Sequence, residues 1–314
     1  MLPDPGGGAV DEWSVKSGPF STRRDVDSGV SPWRFSLAGV ALKFSMLAKG
    51  DRLTVPAAAE NGDWLVKFPD QRFAQVPRNE FVMMSMAREV GIEVPDVRLV
   101  HRDELVGLPD RMWPNSEEWA YAVRRFDRGN DPARTPVHIE DFAQVRDKYP
   151  DAKYEGTFET VAALSYRGHN LAALREMVRR LAFNVIIGNG DAHLKNWSLI
   201  YRDRRHPTLS PAYDLVSTVT YGRQGGHMDD LGLKLGGNKR FEKVRLSSFG
   251  QLEDRLSRRF GPTGAGLQAI AVDIRARVPA AWEQHRSSLA DSPGLATDID
   301  DWIHSIAPRL DVSG

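Results

Sequence analysis

The sequence predicts an α+β protein of two lobes, with a β-rich N-lobe followed by a helical C-lobe. Short apolar segments of strand length, separated by turn residues, fill the chain up to about residue 126. Beyond that point, apolar residues recur mainly at helical spacing. We expect residues 1–30 to form a mobile tail, residues 31–125 the N-lobe and residues 126–314 the C-lobe.

The N-lobe is predicted to be a small sheet that carries one helix. Trp64–Phe68 (WLVKF) is an apolar strand interrupted by one lysine, and Pro69 ends it. Asn79–Val90 places apolar residues at helical spacing, and Gly91 provides the stop. Further strands are predicted at Val97–Val100 and Trp119–Val123.

The C-lobe is predicted to be built around one long amphipathic helix, Leu171–Gly188, whose apolar residues form a single stripe. Short strands are expected near Trp197–Tyr201 and around Thr208–Leu209, and further helices at Leu252–Arg259, Gly266–Val278 and Thr297–Ala307. A cleft between the two lobes would be a natural place for a ligand.

Composition excludes several classes of function. The 314 residues contain no cysteine, which excludes disulfides, thiol catalysis and Cys-ligated zinc, and which fits a reducing cytoplasm. The 42 basic and 42 acidic residues balance, whereas proteins that coat DNA or membranes usually show a basic excess. No apolar run approaches the roughly 20 residues that span a bilayer, and the first residues do not resemble a signal peptide.

A polar loop lies between the long predicted helix and the strand that follows it. Phosphoryl transfer needs a carboxylate that orients the attacking hydroxyl, and oxygen ligands that hold Mg²⁺ against the phosphates. Asp191 and Asn196, five residues apart, supply both, and the catalytic loop of protein kinases has the same spacing. In the same loop, we interpret His193 as a structural hydrogen-bonding residue, and Lys195 as contacting phosphate or orienting the loop.

Three other segments complete the candidate site. Asp214, in PAYDLVST, is predicted as an anionic Mg²⁺ ligand. Lys67, costly to bury alone inside an apolar strand, would neutralise phosphate charge, with Glu80 as its candidate ion-pair partner. Glu80 has an alternative interpretation, because an acidic residue in the first helical turn is favoured by the helix dipole. SLAGVALK, at 36–43, is a candidate phosphate-covering turn with a single glycine, Gly39.

These segments resemble the HipA-like kinases, the toxin components of bacterial toxin–antitoxin systems. The matching segments occur in the family's order over residues 33 to 240: RFSLAGVALK, LVKFP, the NEF helix, VRRFDR, VHIEDFAQ, KYEG, NVIIGNGDAHLKNWSL and LSPAYDLVST. The Asp-x-His-x-Lys-Asn loop, followed by Pro-x-Tyr-Asp, is the most specific part of the resemblance.

The resemblance implies a protein-kinase-like fold and ATP- and Mg²⁺-dependent phosphorylation of serine or threonine. Asp191 would be the catalytic base, Asn196 and Asp214 the Mg²⁺ ligands, and the backbone near Arg124–Phe126 the adenine-binding hinge. Ser36 matches the regulatory serine that family members autophosphorylate. Family members act on aminoacyl-tRNA synthetases, and a small DNA-binding antitoxin restrains them, so DNA would be contacted only indirectly.

The sequence departs from the family pattern in three places. Ala41 stands where the family usually has glutamine, and Arg124 occupies a hinge position that is often glutamate. Long members carry an additional N-terminal subdomain, and this chain resembles the short members that lack it.

Three other functions compete with the protein kinase. A kinase acting on a small molecule would use nearly the same residues. A metallophosphoesterase is suggested by Asp191-x-His193, but it needs further His and Asp ligands for a second metal. An inactive interaction module in an antitoxin repressor complex would not require the set of Asp191, Asn196 and Asp214.

Overall fold

Six strands from the first part of the chain form one twisted sheet, in the order β4-β6-β3-β1-β2-β5. All neighbouring strands are antiparallel except β2 and β5, which are parallel. The strands are β1 (Lys43–Lys49), β2 (Arg52–Thr54), β3 (Trp64–Lys67), β4 (Val97–His101), β5 (Leu105–Val106) and β6 (Trp119–Arg124).

The computed structural model describes residues 43–56, 61–108, 113–224 and 230–311, all of them within one compact unit. The predicted tail at residues 1–30, together with Ser36 and Gly39, lies outside the described residues. The boundary proposed between residues 125 and 126 coincides closely with the end of the sheet at Arg124, and the lobe assignment itself stays a prediction.

Strand alternation separates the two faces of the sheet and directs Lys67 into the site. Because successive side chains on a strand point to opposite faces, Leu65 and Lys67 share one face, and Val66 lies on the other. Val66 packs into a small apolar cluster with Ala120 and Ala122. Leu65 and Lys67 line a large cavity instead.

Helices and a second small sheet follow β6, which confirms the predicted α+β class. The three-stranded antiparallel sheet contains β7 (His138–Asp141), β8 (Ser198–Tyr201) and β9 (Thr208–Leu209). The helices are α1 (Val76–Glu89, between β3 and β4), α2 (Phe142–Val145), α3 (Phe158–Tyr166), α4 (Leu171–Ile186), α5 (Val219–Gln224), α6 (Leu246–Phe260), α7 (Leu267–His285) and α8 (Pro293–Ile306).

One continuous apolar core joins the large sheet to the helices. Helix α1 packs against β4 and β6 on one side and against α7 on the other, and its buried methionines belong to the same cluster as the stripe of α4. Helix α4 in turn packs against α3, α7 and α8. The elements that carry the candidate site therefore rest on a shared core.

Glu253 on α6 caps the beginning of α7 through its carboxylate. Its oxygens accept hydrogen bonds from the hydroxyl of Thr263 and from the backbone N–H groups of Ala265, Gly266 and Leu267, at 2.8 to 3.1 Å. Burial alone would raise the pKa of Glu253, but these hydrogen bonds lower it below its usual value. The ionised carboxylate therefore stabilises the junction between the two helices.

We expect Glu253→Ala to lower the free energy of unfolding by about 1–2 kcal/mol at neutral pH. A depressed pKa stabilises the folded state above the unfolded-state value of about 4.3, and that contribution is lost as pH falls through the folded value. Urea unfolding at several pH values should show the two proteins converging below about pH 4. A difference that stays constant down to acid pH would contradict the assigned role of the charge.

Candidate active site

A cavity of about 640 Å³ lies between the large sheet and the helical part of the unit. This volume is within the range of roughly 300–1,000 Å³ that small-molecule sites occupy. Its apolar lining includes Leu65, Val123 and Ile139, and its charged lining contains both lysines and carboxylates. Seven of the ten predicted site residues lie in this lining: Lys67, Glu80, Arg124, Phe126, Lys195, Asn196 and Asp214.

Lys67 lies between two carboxylates at the inner end of the cavity. Its Nζ is 2.6 Å from Oε1 of Glu80, so the predicted ion pair forms, and it also donates a short hydrogen bond to Oδ1 of Asp214. The side chain of Glu80 is 6% exposed, whereas that of Asp214 is 32% exposed. Asp214 is therefore the carboxylate that a ligand in the cavity can reach.

The helix-dipole interpretation of Glu80 is wrong. Helix α1 begins at Val76, three residues before the predicted start, and contains no acidic residue in its first turn. Glu80 lies beyond that turn, where the helix dipole has little effect. Its position is explained by Lys67.

Each member of this group changes the ionisation of the others. Burial lowers the pKa of Lys67, but the charges of Asp214 and Glu80 outweigh burial and raise it, so Lys67 stays protonated. Burial would raise the pKa of Asp214, but Lys67 brings it below its usual value. Burial raises the pKa of Glu80 to about 7, against the opposing charge of Lys67. From this group, a protonated Lys67 and an ionised Asp214 therefore face the cavity.

Asp214 lies in an irregular segment between β9 and α5, rather than directly after a strand as the sequence suggested. Its φ of 56° is in the left-handed region, which Asp tolerates better than most residues. The hydroxyl of the preceding Tyr213 donates to the carbonyl of Lys195 at 2.9 Å and accepts a hydrogen bond from the Ser198 hydroxyl. Tyr213 thus ties the Asp214 segment to the polar loop.

The polar loop begins where α4 ends, and Gly188 makes that ending possible. Gly188 has φ of +67°, and a Cβ there would lie 2.7 Å from the side chain of Val219 and 2.8 Å from Nε1 of Trp302. Its carbonyl accepts hydrogen bonds from the backbone N–H and the hydroxyl of Thr218, at 3.1 Å each. The loop is therefore fixed to the start of α5, as well as between α4 and β8.

Asp191 and Asn196 are connected directly within this loop. Nδ2 of Asn196 donates to the backbone carbonyl of Asp191 at 2.9 Å, and the N–H of Asp191 donates to Oδ1 of Asn189 at 3.0 Å. Asp191 is 4% exposed and does not line the cavity, although Asn196 does. Oδ1 of Asp191 accepts a short hydrogen bond from the hydroxyl of Tyr154.

His193 lines the cavity without the hydrogen bonds that the sequence led us to expect. Neither ring nitrogen has a hydrogen-bond partner among the described residues, and the side chain is fully buried. Nε2 is 3.7 Å from Oδ1 of Asp191, and the ring packs edge-on against Tyr154, with centroids 5.1 Å apart. Burial, together with the charge of Lys153, lowers the pKa of His193 to about 3, so the imidazole is neutral near pH 7.

The donor set fits a magnesium ion bound together with phosphates. Mg²⁺ prefers one or two carboxylates plus phosphate oxygens and water. The carboxylate of Asp214 and the amide oxygen of Asn196 border the same cavity, and the amide nitrogen of Asn196 is already used by the loop. Among the residues described, no group of three or more His, Cys, Asp or Glu side chains is arranged to hold a metal ion.

At the predicted hinge, two backbone donors are already used. The N–H of Arg124 donates to the carbonyl of Asp96, and the N–H of Arg125 to that of Asp63, at 2.8 Å each. The ring of Phe126 lies 5.7 Å from that of Tyr213. Adenine recognition at this hinge would therefore need groups other than these two N–H donors.

Sequence reasoning missed four residues that shape the site. Lys43, the last residue of the SLAGVALK segment, lies opposite Lys67 in the register of β1 and β3, and it lines the cavity. Lys153 also lines it, and burial lowers the pKa of this lysine. Tyr154 contacts Asp191, and Asn79 supports the Asp214 segment. The quoted segments KYEG and NEF contained three of the four, but a short motif does not show which of its side chains face inward.

Asn79 joins α1 to the segment that carries Asp214. Its Nδ2 donates to the carbonyl of Ser217 at 2.9 Å, and its Oδ1 accepts from the N–H of Ser217 at 3.1 Å. The side chain is fully buried, and Nδ2 also contacts the hydroxyl of Tyr221 at 3.2 Å. Asn79 therefore holds the Asp214 segment directly, and the adjacent Glu80 holds it through Lys67.

Comparison with known proteins identifies relatives over most of the chain. The family model described as the HipA-like C-terminal domain matches residues 35–282. A Sinorhizobium fredii protein named "Putative kinase Y4dM" is 39% identical over 302 residues, covering 94% of this chain and 69% of the relative. The Shewanella oneidensis protein named "Serine/threonine-protein kinase toxin HipA" is 30% identical over 208 residues, covering 60% of this chain and 44% of the relative.

Two solved structures share the fold. The Shewanella oneidensis HipA structure, a complex with HipB and operator DNA, superposes with a TM-score of 0.72 at 22% identity, covering 90% of this chain and 66% of that one. The Helicobacter pylori proinflammatory kinase CtkA gives a TM-score of 0.50 at 14% identity, covering 84% and 90%. These likenesses confirm the two-lobed, kinase-like fold. No helix in the described part of the chain has the length and apolar character to cross a membrane.

We expect Asn79→Ala to lower the free energy of unfolding by about 1–3 kcal/mol, because both polar groups of the Ser217 backbone lose their buried partner. Urea unfolding would measure this loss. The exposed Asn130 provides a matched control, and Asn130→Ala should change stability by less than about 0.5 kcal/mol. Equal effects of the two substitutions would show that the Asn79 contacts do not stabilise the fold.

Proposed function

Because this chain belongs to the HipA-like C-terminal domain family, we propose that it is an ATP- and Mg²⁺-dependent kinase that phosphorylates a protein on serine or threonine. The observation that carries the proposal is the arrangement around one cavity of Lys67, Asp214 and Asn196, with Asp191 directly behind Asn196. A cationic lysine, an anionic carboxylate and an amide oxygen are the groups that phosphoryl transfer requires.

The proposed mechanism is in-line transfer of the γ-phosphate to an acceptor hydroxyl. Lys67 is kept protonated and fixed by Glu80, so it can steady the phosphates. Asp214 and Asn196 would hold Mg²⁺, which would neutralise charge on the phosphate oxygens. Asp191 orients the acceptor hydroxyl and accepts its proton. Most of the rate would come from positioning and charge stabilisation, since the protein forms no covalent intermediate.

We further propose that the protein is the toxin of a toxin–antitoxin pair in the cytoplasm. Support comes from the relative named as the HipA toxin and from the related structure, which holds HipA with HipB and operator DNA. A partner protein would restrain this kinase, and DNA would be contacted only through that partner. An aminoacyl-tRNA synthetase is the proposed class of substrate.

We expect Asp191→Asn to abolish phosphate transfer while the protein still binds ATP and keeps its melting temperature. When purified protein is incubated with labelled ATP and bacterial lysate, the wild type should label a discrete protein band on serine or threonine. Asp191→Asn should label none. Asp301→Asn, on the exposed face of α8, is the matched control and should retain full activity.

Three results would contradict the proposed function. Undiminished transfer by Asp191→Asn would remove Asp191 from the mechanism. ATP consumption that follows added small metabolites, with no labelled protein, would instead support a small-molecule kinase on the same fold. Toxicity that persists in Asp191→Asn would separate toxicity from phosphate transfer.

We expect wild-type protein incubated with MgATP to phosphorylate itself at Ser36 and to lose activity as it does so. A phosphate adds a charge of about −2 to the segment that the sequence predicts to cover the nucleotide phosphates, and like charges would repel. Phosphopeptide mapping would locate the modification, and Ser36→Ala should remain unmodified and active for longer. Self-labelling confined to another residue would contradict this prediction.

A further inference from the structure

The candidate catalytic carboxylate has a partner that the mechanism above does not use. The hydroxyl of Tyr154 donates its hydrogen bond to Oδ1 of Asp191. Tyr154 lies in the segment between α2 and α3 and is not part of the cavity lining, although the neighbouring Lys153 is. The phenol therefore contacts Asp191 just outside the set of residues that line the cavity.

We propose that Tyr154 is a positioning residue for phosphate transfer. By holding Oδ1 of Asp191, it restricts the orientation of the carboxylate toward the acceptor hydroxyl. The inference rests on the proposed function, because it acts through Asp191. A carboxylate held on one oxygen loses rotational freedom, and small errors in the orientation of such a group cost rate rather than affinity.

The backbone around Tyr154 is fixed to the polar loop and to a third segment. The N–H of Leu194 donates to the carbonyl of Lys153 at 3.1 Å. Nζ of Lys239 donates to the carbonyls of Tyr154, at 3.3 Å, and of Gly232, at 3.0 Å. Lys239 also lies over the ring of Tyr154, 5.6 Å from its centroid. One lysine thereby fixes both the main chain and the ring of Tyr154.

Gly232 also packs closely against the loop. A Cβ at Gly232 would lie 2.7 to 2.9 Å from three backbone atoms of Ala192, the residue between Asp191 and His193. Such a contact leaves room only for glycine. The loop is therefore in contact with both the Tyr154 segment and the Gly232 segment, and Lys239 bridges the two. These contacts explain how a carboxylate on a loop keeps one orientation.

A different role for Tyr154 would be to block the site by occupying the place of an acceptor hydroxyl. A blocking side chain has to leave when substrate arrives. The contacts of Leu194 and Lys239 hold the main chain at Lys153 and Tyr154, and the ring packs against the buried His193. These contacts favour a side chain that stays in place and positions Asp191 over one that leaves when substrate binds.

The decisive experiment is steady-state kinetics of Tyr154→Phe, which removes the hydroxyl and keeps the ring. We expect kcat to fall by about 10- to 100-fold, with the KM for ATP, the KM for the protein acceptor and the melting temperature unchanged. Tyr201→Phe is the matched control, because its hydroxyl also donates to a carboxylate, that of Glu140, outside the cavity lining. Its kcat should remain that of the wild type.

A second variant, Lys239→Met, tests the same inference independently. We expect it to lower kcat, and the double variant with Tyr154→Phe to be no slower than the slower single variant, because both act on one carboxylate. Unchanged kcat in Tyr154→Phe would overturn the proposal. A higher kcat with a lower acceptor KM would show that Tyr154 blocks the acceptor site. Loss of ATP binding with a lower melting temperature would show that the hydroxyl is purely structural. If Asp191→Asn is inactive in each of these cases, only the inference about Tyr154 fails.

Discussion

The candidate site depends on one buried positive charge, the ammonium of Lys67 held between Glu80 and Asp214. Removing charges from water is costly, and a buried pair becomes strongly destabilising when one partner is lost. Three elements meet at this group: β3, α1 and the segment before α5. Because Glu80 is almost fully buried and Asp214 is partly open, one carboxylate anchors the lysine and the other is left to face a ligand.

Backbone contacts with neighbouring segments explain why the polar loop can carry the candidate catalytic groups. Loops are usually mobile, whereas this loop is held by contacts with several other segments. Gly188 permits the close turn after α4, Tyr213 joins the loop to the Asp214 segment, and Gly232 lies against Ala192. Each of these contacts uses backbone atoms. The positions of Asp191 and Asn196 are therefore fixed by the fold rather than by the two side chains alone.

Much of the fold around Lys67 could be predicted from the sequence, and the reasons differ between elements. The strand and helix around Lys67 and Glu80 were predictable because apolar periodicity is local, and the structure confirms both, with α1 beginning three residues earlier than predicted. The pairing of Lys67 with Asp214 joins residues 147 positions apart. The sequence did not predict this contact, because it gave Glu80 as the partner of Lys67 and assigned Asp214 only to Mg²⁺, and no local pattern links segments so far apart.

What the sequence could not show were contacts made across the fold by neutral polar side chains. Asn79 is buried in a helix whose other buried residues are mainly apolar, and a periodicity argument treats such a polar residue as a defect. Its partner, the Ser217 backbone, carries no sequence signal. His193 was expected to form hydrogen bonds, yet its ring nitrogens have none among the described residues. Burial of a polar ring depends on its neighbours from other segments, and one sequence does not specify them.

The contacts of α1 also constrain how the site can move. Asn79 pairs with both backbone groups of Ser217, and Glu80 holds Lys67, which in turn holds Asp214. Displacing α1 would break these contacts together and leave buried polar groups without partners, at roughly 1–3 kcal/mol for each. Because the contacts share one helix turn, they are lost together. These contacts therefore couple the position of helix α1 to that of the Asp214 segment.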